Sequence, residues 1–198
     1  LVIVALRVLL SIVFGAQFKH IAWHVVDDKA HSGTRAYHSG YDPLSCVQLA
    51  SGAIDLGNGG QASSLSFWHR FGTNKGNDGG VVEISADNTT WKPLTPTGGY
   101  PVTIGNAQNG CNFPIGTGVY SGTQDEWTKA DFKLDGMKGV VYLRWVLSTD
   151  LVFDQKGWWI DDVAVTPAQV GSPCRNAPAR PTFAIDKGIP RAWDNANP

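Results

Sequence analysis

Two adjacent carboxylates, Asp161 and Asp162, lie in the run Gly157-Trp158-Trp159-Ile160-Asp161-Asp162-Val163-Ala164-Val165, and of all the residues in this chain they are best suited to hold a metal ion. Val163 and Val165 alternate with small or polar residues, as a strand with one buried face requires. On that parity Asp161 faces the core beside them. A carboxylate taken bare out of water is too costly, so it must be paired, protonated or bound to a cation. A hard, oxygen-seeking ion such as calcium meets that need. Asp161 is then the principal ligand, the loop around Ser32 to Thr34 its companion, and Asp162 the second choice. The same spacing also allows an Asp that caps a turn or pairs with Arg.

Other chemistry is sparse. The five histidines are His20, His24, His31, His38 and His69, and none falls in a His-Glu-x-x-His pattern, so zinc-peptidase chemistry is not expected. There is no Gly-x-Ser-x-Gly elbow. His69 sits between aromatics on an alternating segment and reads as a structural histidine. Acid pairs such as Asp27-Asp28, or Glu83 with Asp78, are of the type used in glycoside hydrolysis, but nothing places two of them across a cleft, and the chain reads as non-catalytic. Tryptophans suggest binding instead. Aromatic faces match the C–H faces of sugar rings, which makes Trp68, Trp145 and Trp158, with Tyr100 or Tyr120, the candidates to touch a polysaccharide. The competing role for Trp145 and Trp158 is to fill the core.

These residues need a scaffold, and composition indicates which. The chain has 198 residues, a net charge of -1 and 17% charged residues. It lacks the basic face that nucleic acid requires. With 23 Gly and 11 Pro it is rich in turns, and it contains no long stretch of helical period. Alternating segments recur at residues 35–39, 46–49, 53–56, 64–71, 81–85, 127–134 and 140–148. In residues 64–71, Leu65, Phe67, His69 and Phe71 share one face, and Ser66, Trp68 and Arg70 the other. Short strands with turns between them predict an all-β antiparallel sandwich or jelly roll. Residues 95–122 are irregular and Gly/Pro-rich, and a loop of that length is usually functional or disordered.

Residues 19–167 form the sandwich on this reading. Residues 1–18 are an apolar N-terminal segment. Within it residues 1–14 are too short to span a bilayer, and they are expected either to form a strand, paired with their own sheet or donated to a neighbour in self-association, or to be a leftover signal sequence. Residues 168–198 are Pro-rich and unpatterned, an extended tail or linker. Cys46, Cys111 and Cys174 fit no zinc spacing and predict one disulfide in an oxidising compartment. Cys46 and Cys111 are the favoured pair because both lie in the patterned region.

Taken in order, 65–71, Asp78-Gly79-Gly80-Val81-Val82-Glu83-Ile84-Ser85, Trp91, Leu143-Arg144-Trp145 and 157–163 resemble the jelly-roll domain attached to secreted bacterial metallopeptidases of the immune inhibitor A group, a domain similar to MAM domains. Ala30-His31-Ser32-Gly33-Thr34-Arg35-Ala36-Tyr37 matches as well. The resemblance implies a secreted, non-catalytic accessory or adhesion domain that binds an extracellular protein or polysaccharide. The chain is also similar to carbohydrate-binding jelly rolls, whose closing strand gives an Asp to a structural calcium, here Asp161. The acidic residue that such proteins supply from a first strand is absent, since Phe18-Lys19 stands there. An extracellular filament joined by strand donation is the remaining alternative. Ser85-Ala86-Asp87-Asn88-Thr89-Thr90-Trp91 resembles a shortened sialidase-type Asp-box, which implies a structural hairpin.

Overall fold

A computed structural model describes residues 22–57, 63–152 and 155–166 and, as backbone, 183–185. Its strands are β1 (His24–Val26), β2 (Ala36–His38), β3 (Cys46–Ser51), β4 (Ile54–Asp55), β5 (Ser64–Gly72), β6 (Gly79–Ser85), β7 (Lys92–Leu94), β8 (Val102–Thr103), β9 (Gly118–Val119), β10 (Thr123–Lys133), β11 (Val140–Ser148), β12 (Gly157–Thr166) and β13 (Phe183–Ile185). Among the described residues there is no helix.

One sheet runs β1-β2-β12-β5-β10 and the other β13-β3-β11-β6-β7, with β4 also paired to β11. Every strand pair is antiparallel. The chain crosses from sheet to sheet between most successive long strands, which is the jelly-roll path expected from the sequence. It cannot be wound from local hairpins alone, because β2 and β12 must meet across most of the chain.

Alternation explains the core. Along β5 the buried residues are Leu65, Phe67, His69 and Phe71, and the half-exposed ones are Ser64, Ser66, Trp68 and Arg70. Opposite them β11 turns Val141, Leu143, Trp145 and Leu147 inward. Phe67 packs edge-on to Trp145 at 5.6 Å and lies against Phe132 at 5.7 Å. A closely packed aromatic centre of this kind contributes much of a sandwich's stability, since each ring removes a large apolar area from water.

Residues 95–122 are not a free loop. Their start is tied to β10 by Thr97 N donating to the Asp131 carbonyl, Tyr120 at their end joins the main core, and the middle covers part of the outer face of the six-stranded sheet. Ile104 and Val119 form a second apolar cluster there with Val81 and Val146, flanked by Tyr100, Val102, Cys111 and Phe113. The small ladder β8-β9 stiffens the segment, and the expected disulfide between Cys46 and Cys111 ties it to β3. Buried Asn109 accepts from Phe113 N and Ser148 Oγ and donates to the carbonyls of Asn106 and Phe113. The same outer face also carries an ion pair between Arg144 and Glu83.

In the C-terminal stretch read from sequence as an extended tail, β13 adds itself to the edge of β3. The expectation for residues 1–14 lies outside the described residues, as does Cys174.

Candidate binding face

The outer face of the five-stranded sheet is built differently from its covered counterpart. His24, His38, Trp159 and Arg70 are successive cross-strand partners on β1, β2, β12 and β5. The neighbouring row is Asp161, Trp68 and Lys129 on β12, β5 and β10. The register of β10 slips between Gln124 and Thr128, and Trp127 sits within that irregularity at the sheet edge.

These side chains stack into one rib. His38 lies on Trp159 at 4.0 Å with planes 12° apart. The Arg70 guanidinium is 4.8 Å from the Trp159 ring and 5.8 Å from Trp127. His31, from the loop before β2, stacks on Trp68 at 3.9 Å and meets Trp127 edge-on at 5.8 Å. Lys29 adds a second cation 5.2 Å from Trp159. Guanidinium and ammonium groups over indole faces are held by the ring quadrupole, an attraction that strengthens as water is excluded. Trp68 and Trp127 are half-exposed, whereas Trp159 is covered by its neighbours to 5% exposure.

Asp161 belongs to this outer face, which corrects its expected inward direction. Between Trp68 and Ser66 on β5 the chain advances two residues, whereas β12 advances three, from Asp161 to Ala164. The extra residue is a β-bulge at Asp162, whose φ of 46° is left-handed. The bulge reverses parity, so Val165 points inward as expected but Asp161 does not. Alternation alone gives no sign of this, because Asp rather than Gly takes the positive φ.

The carboxylate has partners. Asp161 Oδ2 accepts from the amides of His31 (2.7 Å) and Ser32 (3.2 Å), and Oδ1 accepts from Asp162 N at 2.7 Å. Asp162 accepts from Ser32 Oγ and pairs with His31 Nδ1 at 2.7 Å. Partial burial still raises the Asp161 pKa, against the opposing pull of these amides. Three of the residues expected around calcium, Asp161, Asp162 and Ser32, therefore do meet, while Thr34 lies exposed nearby. What they present to one another is N–H and O–H donors aimed at carboxylates. A calcium site needs converging oxygens, so this donor set does not fit the ion as it stands. Its evident work is to clamp the His31 loop over Trp68.

Two of the three expected ligand tryptophans are corrected. Trp145 is 0% and Trp158 1% exposed, both on inward positions between the sheets. Trp158 Nε1 donates to His69 Nδ1 at 3.2 Å. An indole can only donate, so the imidazole proton is on Nε2. Burial lowers the His69 pKa to about 3, as suits a neutral structural histidine. His38 is likewise held neutral, its pKa lowered to about 4 chiefly by burial, and it hydrogen-bonds the Lys156 carbonyl through Nε2. Trp68 is where the sequence puts it. Trp127 and Arg70 complete the face and were not singled out from sequence; the signal for Arg70 was its shared parity with Trp68. The Asp-box hairpin behaves as its resemblance implies: Asp87 accepts from the amides of Thr89 and Thr90, and these bonds hold its pKa well below the usual carboxylate range. Trp91 lies against Arg144 at 4.2 Å.

No family model matches the chain, and no curated protein does. Among solved structures the chain is similar to TmCBM61, determined in complex with β-1,4-galactotriose. The identity is 14%, the match covers 75% of this chain and 90% of that one, and the TM-score is 0.40. It is also similar to the CBM22-1 xylan-binding domain of Xyn10C from Paenibacillus barcinonensis, at 11% identity, 75% and 82% coverage and a TM-score of 0.41.

Proposed function

We propose that this chain is a non-catalytic, secreted polysaccharide-binding domain whose ligand lies across the outer face of the five-stranded sheet. The observation that carries the reading is the asymmetry between the two outer faces. One is partly covered by residues 95–122 and a second apolar cluster and carries a single half-exposed indole, Trp91, lying against the ion-paired Arg144; the other bears half-exposed Trp68 and Trp127 beside Arg70, Lys129 and Asp131. Indole surface with hydrogen-bonding groups beside it suits a sugar ring, which has an apolar C–H face and a polar rim. His31 stacks on one side of Trp68, while Trp127 stands at the sheet edge with only the edge of His31 and the Arg70 guanidinium near it. Secretion is supported by the disulfide, which persists in oxidising compartments.

Soluble β-1,4-galactan and xylan are suitable first probes. Saturable quenching of tryptophan fluorescence is expected in the native chain and should be lost in Trp127→Ala with the fold intact. Undiminished quenching in that variant would place the ligand elsewhere. A protein partner is the second reading, because Trp and Arg are also the residues that dominate protein interfaces.

A further inference from the structure

We infer that the ligand of this face is an acidic glycan, and that Arg70 receives its carboxylate or sulfate group. The inference rests on the binding-face reading above and narrows its ligand class. Arg70 lies at the middle of the rib, between two indoles. Two lysines beside this face are paired, Lys156 with Asp125 at 2.6 Å and Lys129 with Asp131 at 2.9 Å. Arg70 has no such partner. Among the described residues its only hydrogen bond is a long one from Nη1 to the Asp125 carbonyl, at 3.3 Å. Its Nε is buried and unpartnered.

A guanidinium carries five N–H donors in a planar fork, and the fork matches the two oxygens of a carboxylate or sulfate. Here it is fixed in orientation by Trp159 and Trp127, so little side-chain freedom remains to be lost when an anion binds. Lys29, over the same Trp159 ring, adds a second positive charge. The nearby Asp125 carboxylate is hydrogen-bonded to Lys156, and the charges of both Lys156 and Arg70 stand within its field. The face thus presents an oriented cation beside the half-exposed indole of Trp127, which suits a sugar ring. That combination favours a uronate or sulfated sugar over a neutral one.

The test is affinity electrophoresis of the whole chain in gels containing neutral galactan, polygalacturonate or dextran sulfate. Native protein should be retarded most by an acidic polymer, and whether polygalacturonate or dextran sulfate is preferred identifies the acid group. Arg70→Gln should weaken that retardation by roughly tenfold or more, the usual scale for a charged hydrogen bond. Arg70→Lys should recover only part, because it keeps the charge and loses the fork. If Arg70→Gln does not fold, Lys29→Gln, at an exposed position, carries the test with a smaller loss of about two- to threefold, the scale of one exposed charge. Equal retardation by galactan and both acidic polymers overturns the inference and leaves the binding-face reading standing. So does an equal loss in Lys92→Gln on the opposite sheet, which would show only general charge attraction. Retardation by none of the polymers overturns both.

Discussion

Removing the crosslink between Cys46 and Cys111 should cost this domain about 4 kcal/mol. The bridge joins residues 65 apart in sequence. In the chain-entropy account, closing a loop of that length restricts the unfolded chain by about 14 to 15 cal/mol/K, or about 4 kcal/mol at room temperature. The native side of the balance changes little. Cys111 N donates to Ser148 Oγ at 3.0 Å and Gly110 N to the Thr149 carbonyl at 2.9 Å. Asn109 binds Ser148 Oγ at 2.9 Å, and Ile104 and Val119 stay in their apolar cluster. The segment is therefore seated without the sulfur bridge. Urea unfolding of the native chain and of Cys46→Ala/Cys111→Ala, followed by tryptophan fluorescence, measures the difference. The expected result is one cooperative transition in both, with a lower midpoint in the variant. A loss below about 1 kcal/mol would refute the loop-closure argument. A separate early transition would refute the claim that residues 95–122 belong to the cooperative core.

Gly110→Ala should be strongly destabilising, because a β-carbon there would come within 2.1 to 2.6 Å of the Ser45 backbone. Thermal melting measures it, and a shift no larger than that of a surface substitution would contradict the close approach. His69 has its pKa lowered to about 3 by burial, so between about 3 and 6.5 the unfolded chain binds more protons at this residue. Its contribution is fully present above about pH 6.5 and falls away on acidification, at up to about 1.4 kcal/mol per pH unit. Asp78, raised to about 6 mainly by burial, has the opposite slope between about 4 and 6, so native and His69→Gln proteins must be compared directly. His69→Gln, which keeps an acceptor for Trp158, should flatten the acid loss, and parallel pH profiles would contradict it. Removal of calcium by a chelator should leave the melting temperature unchanged, because amides satisfy Asp161; a clear drop reversed by added calcium would reinstate the ion expected from the sequence.

The sandwich was legible because its strands are regular. Leu65, Phe67, His69 and Phe71 alternate without interruption and fix both the inside and the outside of β5, and with them the shared outer face of Trp68 and Arg70. The candidate site was only half legible, for two physical reasons. A bulge at Asp162 shifts register by one residue, and parity beyond it carries no information about Asp161 on its other side. The stacking rib depends on which strands are neighbours. That β2 borders β12 and β12 borders β5 is a long-range fact, invisible in the local patterns that reveal each strand. The covering of one face by residues 95–122 is likewise a tertiary event; sequence shows their irregular composition but not the apolar seat they find over Val81 and Val146.

The central claim, that ligand binds the outer face of the five-stranded sheet, is tested most directly by following the indole N–H signals in nuclear magnetic resonance spectra during titration with an acidic or neutral polysaccharide fragment. Single substitutions assign the signals. The account predicts that Trp68 and Trp127 shift with added ligand while Trp23, Trp145 and Trp158, buried between the sheets, and Trp91, on the opposite side against Arg144, stay in place. Shifts centred on Trp91 with Trp68 and Trp127 unmoved would contradict it.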